Sequence, residues 1–282
     1  MPYTDTDDVS IYYEAKGTPG DPVIVLIAGG GAQLLAWRPE LRAMLTAEGF
    51  RVVVFDNRDV GLSQRFGGEH DIDGGYELGD MGDDVLRVLD QLGVDAAHLV
   101  GHSMGGMMAQ MVAIEHPERV LSLGLLSTIP GQAPRYILHG ERPERLLEPV
   151  RYSREESVSA MTALAAPIPG ARYQPDTEWE VWATGEAYDR GYSPEGYARQ
   201  WAALRRAPER LEQLRSVTVP TLVLHGRADD VLHWCSAVEI AAAMPAAELH
   251  VLPDMGHLIP AELWPTLVDG IVRTANHAES LR

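Results

Sequence analysis

The sequence is short of basic charge. Its 282 residues carry 23 Lys and Arg against 41 Asp and Glu, a formal net charge of -18. Such a surface repels a polyanion everywhere except at a local basic patch, so neither nucleic-acid binding nor attachment to an anionic membrane is expected. Lysine is nearly missing: Lys16 stands alone, before a Gly17-Thr18-Pro19-Gly20 turn. Schiff-base chemistry and a P-loop lysine are thereby set aside. The single cysteine, Cys235, permits neither an intrachain disulfide nor a Cys-x-x-Cys metal or redox motif. Long apolar runs are also missing. Val23 to Ala28 and Val120 to Leu126 fall far short of the roughly 20 residues that span a bilayer. The opening MPYTDTDDVS is acidic and lacks the basic flank and apolar run of a signal peptide, so a cytoplasmic location is expected. With 45% hydrophobic residues, the chain must be stabilised by its core, as one large domain or a domain with an insert.

Short apolar runs bounded by Gly or Pro alternate with helix-length amphipathic stretches, the pattern of a mainly parallel α/β sheet. Strands are predicted at VIVLIAG from Val23, RVVVFD from Arg51, AHLVG from Ala97, VLSLGLLS from Val120, TLVLHG from Thr221 and ELHVLP from Glu248. Helices are predicted at Leu34 to Ala47, Tyr76 to Leu92, Met104 to Glu115, Cys235 to Met244 and Ala261 to Thr274. The runs around Tyr3 and from Ser10 to Ala15 read as an antiparallel hairpin at the sheet edge.

The alternation stops between Ile129 and Arg210. This segment holds 11 basic and 12 acidic residues, whereas the rest holds 12 and 29. It also contains nine of the sixteen Trp and Tyr residues. Trp179 and Trp182 (i,i+3) and Tyr197 and Trp201 (i,i+4) place each pair on one helix face. Residues 129–210 are therefore read as a helical lid, and 1–128 with 211–282 as the catalytic core. One reading of the segment is an ordinary helical subdomain with its own small core. The other is a cap whose aromatic face closes over a pocket.

The residues that carry chemistry follow the AHLVG strand. Gly101-His102-Ser103-Met104-Gly105-Gly106 runs into the apolar helix MMAQMVAIEHP. Between a buried strand and a helix, this string makes a sharp turn that holds the serine in a strained conformation and pushes Oγ out of the sheet. Met104 at the helix start contributes an unpaired N–H where an oxyanion would form. A hydroxyl needs a base, and the base needs an acid. Asp229 follows TLVLHG and His257 follows ELHVLP, so both emerge at the carboxyl edge of the sheet with Ser103. Asp230 and Asp254 are competing acids. Asp230 is expected to face away, and Asp254 shares a short loop with His257. His102, His225 and His250 are expected to be packed or hydrogen-bonded, while His233 is a candidate to line the pocket. The second oxyanion donor is expected from Ala28-Gly29-Gly30-Gly31, with Gly30 as candidate. That turn lacks the Gly-x-Gly-x-x-Gly spacing of a dinucleotide site. In DNRDVGLS, Arg58 and Asp59 suggest either a substrate anion clamp or a hydrogen-bonded loop bracing the sheet edge.

In the order AGGG, DNRDVGLS, GHSMGG, HGRADD and DMGH, the sequence resembles the α/β-hydrolase superfamily over nearly its whole length. Within it, the glycine turn ending at Trp37 and the Asp-x-Arg-Asp-x-Gly-x-Ser loop are similar to the branch containing aclacinomycin methylesterase. The resemblance implies an α/β-hydrolase fold, a mostly parallel twisted sheet flanked by helices, with the helical lid inserted before the acid-bearing strand. It implies a triad of Ser103, Asp229 and His257 with the Gly30 and Met104 amides as oxyanion hole. Many relatives have His-Gly where this chain has Ala28-Gly29, which removes a bracing side chain.

The reaction expected is cleavage of a small carboxylic ester through an acyl-enzyme on Ser103, with no cofactor and no metal. Trp179, Trp182, Tyr197, Trp201 and His233 are the expected substrate contacts, favouring an apolar or ring-containing molecule. The near-neutral, arginine-containing lid also leaves an anionic substrate open. The same triad serves amide, thioester and lactone cleavage, carbon–carbon bond hydrolysis and perhydrolysis. A non-enzymatic ligand-binding protein of this fold is the contrasting class. The partner expected is a small molecule, and a homodimer is left open.

Overall fold

A computed structural model describes residues 2–4, 9–138 and 149–281. The six predicted apolar runs form parallel strands: β2 (Val23–Ile27), β3 (Arg51–Phe55), β4 (Ala97–His102), β5 (Val120–Leu126), β6 (Thr221–Gly226) and β7 (Ala247–Leu252). With β1 (Tyr13–Lys16) they make a seven-stranded sheet in the order β1-β3-β2-β4-β5-β6-β7. β1 runs antiparallel to β3, pairing Tyr13 with Phe55. Of the expected hairpin, the described residues keep one Tyr3–Tyr12 antiparallel bridge, and residues 5–8 lie outside the description.

The pleat divides the core into two layers. Val23, Val25 and Ile27 face α2 (Leu78–Leu92) and α3 (Met104–Glu115), together with Ala237 and Ile240 of α7 (Cys235–Ala243). Ile24 and Leu26 face α1 (Pro39–Ala47) and α8 (Trp264–Ser280) through Leu41, Leu45, Leu267 and Ile271. A parallel sheet covered on both faces leaves its carboxyl edge as the place where loops meet a ligand.

Two predicted helix starts move, each at a proline. The run from Leu34 yields a single 3-10 turn at Leu34–Ala36, and α1 begins only at Pro39. Arg38, preceding proline, takes the extended ψ of 144°, because the ring of Pro39 excludes the helical region for its predecessor. Likewise a 3-10 turn at Ala261–Leu263 precedes α8, with Pro265 in its first turn, and that helix runs on to Ser280.

Between β5 and β6 lie α4 (Arg154–Leu164), α5 (Thr177–Gly191) and α6 (Pro194–Arg206). Residues 139–148 of the expected lid fall outside the described residues. The two ends of the segment are tied together. The Arg210 amide donates to Pro130 O at 2.8 Å, and its buried guanidinium donates to Ile129 O and to Gln110 Oε1. Among the described residues no helix is long and apolar enough to cross a membrane.

Candidate active site

Ser103 sits between β4 and α3 with φ 54° and ψ -120°, a conformation that costs a non-glycine residue of order 1–3 kcal/mol. The surroundings enforce it. The Ser103 amide donates to Leu126 O at 2.9 Å, and Thr128 Oγ1 donates to Ser103 O at 2.7 Å. Glycine is required on both sides of the turn: a Cβ on Gly101 would strike the Gly105 carbonyl, and one on Gly105 would strike that of Ile27. The strand and helix can therefore approach closely enough to lift the Ser103 side chain above the sheet edge.

The acid and base come from the loops after β6 and β7. His257 Nδ1 lies 2.8 Å from Asp229 Oδ2. A carboxylate only accepts, so Nδ1 carries the proton and Nε2 is left with its lone pair. Asp229 Oδ1 accepts from the Val231 and Leu232 amides at 2.8 Å each. Burial opposes the charge on Asp229, but hydrogen bonds from His225, His257 and the Leu232 amide outweigh it and hold the carboxyl well below the usual range. The competing acids are elsewhere. Asp230 is exposed, and Asp254 pairs with Arg172 at 3.1 Å on the surface.

Two further histidines support this pair. His225, fully buried, aims Nε2 at Asp229 Oδ2 (3.0 Å) and at Leu232 O (3.1 Å). His102 Nε2 donates to the backbone carbonyl of His257 at 2.8 Å. Burial, reinforced by the neighbouring His257, pushes His102 down to about 4, so it stays neutral. Both fit the structural role that their positions suggested. His250 pairs with Glu248 at 2.6 Å, far along β7.

Ser103 and His257 line one cavity of about 310 Å³ together with Gly30, Met104, Met107, Ile129, Gln132, Ile137, Tyr197, Trp201, Leu204, Val231 and Leu232. Among the described residues neither the Gly30 nor the Met104 amide has an acceptor, so both remain available to a ligand. A more open cleft of about 570 Å³ along β1 shares none of these residues. Among the described residues no group of three or more His, Cys, Asp or Glu side chains is arranged to hold a metal ion.

Of the five expected substrate contacts, Tyr197 and Trp201 line the cavity and three do not. The Trp179 and Trp182 rings pack on each other at a tilt of 45° with centroids 4.7 Å apart, and the Arg38 guanidinium lies 4.5 Å over Trp179 while pairing with Asp176. A cation drawn to both a ring face and a carboxylate holds this face of α5 against the start of α1. His233 accepts the Cys235 amide on Nδ1 at 3.0 Å and stacks on Trp234, which commits it to the entry of α7. The sequence reading missed Leu204 and Gln200. Extending the Tyr197–Trp201 spacing by the helical repeat to i+3 and i+7 would have found both.

Arg58 and Asp59 do not form an anion clamp. Arg58 is paired with Asp84 at 2.6 Å beneath Phe66 and Tyr76. Asp59 accepts from Tyr76 Oη at 2.8 Å and from Arg199 of α6 at 2.6 Å. Asp56 binds Arg190 of α5 at 2.6 Å. The DNRD loop is the seat on which α5 and α6 rest. Among the described residues no Arg or Lys lines the cavity; Arg142 and Arg145 of the segment lie outside the described residues.

The wider comparisons agree with this architecture. RutD of Serratia proteamaculans, named as a carbamate hydrolase by inference, is 31% identical over 252 residues, covering 88% of this chain and 89% of that protein. The rhodomycin D methylesterase DnrP of Streptomyces peucetius is 27% identical over 296 residues, covering 94% of each. A thermophilic esterase from Thermogutta terrifontis, solved with malate bound, superposes with a TM-score of 0.77 at 26% identity over 99% of this chain and 98% of that one. The family model of the alpha/beta hydrolase fold matches residues 22–262. With the strained serine turn, the loops after β6 and β7 and this match in agreement, the chain belongs to the α/β-hydrolase fold family.

Proposed function

We propose that this chain is a serine hydrolase that cleaves carboxylic esters of small, uncharged, apolar or ring-bearing molecules. The observation that carries the reading is the 2.8 Å bond from His257 Nδ1 to Asp229 beside a cavity that also holds Ser103. His257 Nε2 takes the Ser103 proton as Oγ attacks the ester carbonyl. The oxyanion is held by the Gly30 and Met104 amides, and Asp229 stabilises the imidazolium that forms. Collapse expels the alcohol, which leaves with the proton from His257. Water, activated by the same histidine, then releases the acid from the Ser103 acyl-enzyme.

Residues 129–210 act as the cap of this site, contributing Ile129, Gln132, Ile137, Tyr197, Trp201 and Leu204 to the cavity. Apart from Gln132 these are apolar or aromatic, which favours a substrate without charge. The name of the Serratia relative supports a second reading, cleavage of a carbamate, whose carbonyl passes through the same tetrahedral intermediate. The apolar lining ranks esters first.

A fluorophosphonate probe is expected to label Ser103, with p-nitrophenyl ester turnover that vanishes in Ser103→Ala. Labelling at another residue, or turnover that survives the substitution, overturns the mechanism. Matched methyl esters and carbamates of one ring-bearing group then decide between the two readings.

A further inference from the structure

The glycine turn that presents Gly30 has little of its own to hold it. Gly31 sits at φ +70°, and the turn contains a single internal hydrogen bond, from the Ala32 amide to Gly29 O at 3.2 Å. An oxyanion donor is useful only if it stays where charge develops, since a preorganised amide costs no reorganisation during the reaction.

Asn57 Nδ2 holds the start of the turn by donating to Ala28 O at 3.1 Å, and the Gly30-Gly31 part is fixed from the opposite side of the cavity. Gln200 of α6 is fully buried. Its Oε1 accepts the Gly31 amide at 2.8 Å, and its Nε2 donates to Arg58 O at 2.7 Å. One side-chain amide thus joins the glycine turn to the DNRD loop, each through its backbone. One turn earlier on the same helix, the Tyr197 ring lies against the turn so closely that a Cβ on Gly30 would come within 3.2 Å of it, and one on Gly31 within 2.9 Å. Tyr197, Gln200, Trp201 and Leu204 follow the i, i+3, i+4, i+7 spacing, so a single face of α6 both walls the cavity and clamps the donor. The helix is itself pinned, because the adjacent Arg199 pairs with Asp59 of the same DNRD loop.

We infer that Gln200 is a positioning residue for the oxyanion hole, so that α6 sets the rate of the chemical step as well as shaping the cavity. The inference rests on the serine-hydrolase reading. Gln200 does not touch the substrate; it acts through the Gly31 amide on the placement of its neighbour Gly30. A helix that holds the donor in this way cannot lift away during turnover without dismantling the hole.

The test is Gln200→Met, which keeps the length and burial of the side chain and removes both hydrogen bonds. With a p-nitrophenyl ester, kcat is expected to fall about 10- to 100-fold, the scale of a misplaced catalytic donor, while KM changes less than about twofold. Affinity for a trifluoromethyl ketone, which forms an oxyanion on Ser103, should fall in parallel, and that for the corresponding methyl ketone should not. Wild-type kcat in the variant, or equal losses for both ketones, overturns the inference.

Gln200→Glu carries the test independently if the methionine variant folds poorly. A protonated Glu reproduces both bonds, whereas an ionised one faces the Arg58 carbonyl, so kcat relative to wild type should rise as pH falls. A flat ratio overturns the inference. Failure of the underlying mechanism is distinguishable, because it appears in the wild type as absent labelling at Ser103.

Discussion

The sheet with its flanking helices and the segment between β5 and β6 are held by different interactions. The first buries apolar layers on both faces of β2 to β6. In the second, α4 contributes no buried residue and α5 only Gly185, whereas α6 is largely buried. The segment joins the apolar core through Tyr136, Ala203 and Leu204 and is further tied to the body by polar anchors: Arg190 on Asp56, Arg199 on Asp59, Gln33 Nε2 on Ala187 O and Gln200 on two backbones. An apolar face tolerates small slides of its partner, while a charge pair with 2% and 0% exposed side chains fixes one position. The body thus derives stability from area, while in the segment directed bonds add a fixed position to its apolar contacts.

That contrast is most sharply tested where the body supplies the chemistry. His257→Ala should lose several powers of ten in kcat at nearly unchanged melting temperature. Asp229→Asn should lose about 10⁴-fold by presenting the wrong histidine tautomer, while Asp254→Asn should stay close to wild type. The reverse order would move the acid to the loop after β7. The next effect is one of stability. Arg199→Met leaves Asp59 buried without its partner and should cost about 3–5 kcal/mol in urea unfolding. Arg154→Met, which breaks an exposed pair with Asp189, should leave the midpoint unchanged. Equal shifts would mean that the seat of α6 is not held by its buried charge. The smallest effect concerns the aromatics. For a ring-bearing ester, Trp201→Ala should lower kcat/KM roughly tenfold and Trp182→Ala by less than about twofold. A larger loss at Trp182 would place the substrate against α5.

What the sequence made legible was local. Apolar runs capped by Gly or Pro located six strands, and the same strand ends placed Ser103, Asp229 and His257 in one region before any side chain was positioned. The choice of Asp229 over Asp230 also followed from local order, since adjacent residues leave a strand end in different directions. Pro39 was a boundary signal in plain view, and the expected helix from Leu34 to Ala47 passed over it.

The misplaced residues share a cause. Trp179 and Trp182 lie on one helix face as their spacing requires, but which face turns to the cavity is decided by Arg38 and Asp176, 138 residues apart in sequence. The arginine content of the segment left an anionic substrate open, yet Arg190 and Arg199 pair with carboxylates of the DNRD loop and Arg172 with Asp254 on the surface.

By itself, the sequence determined the order of the elements, the strained serine turn and the strand-end loops that carry Ser103, Asp229 and His257, because periodicity, turn chemistry and glycine placement act over a few residues. Only the tertiary structure decided which helix face of the segment between β5 and β6 meets the cavity and which of its described arginines pair with carboxylates. It also decided that the Gly30 turn is held by Gln200. Each of these depends on partners brought together by folding, and buried charges and amides take whichever partner the packed chain places within reach.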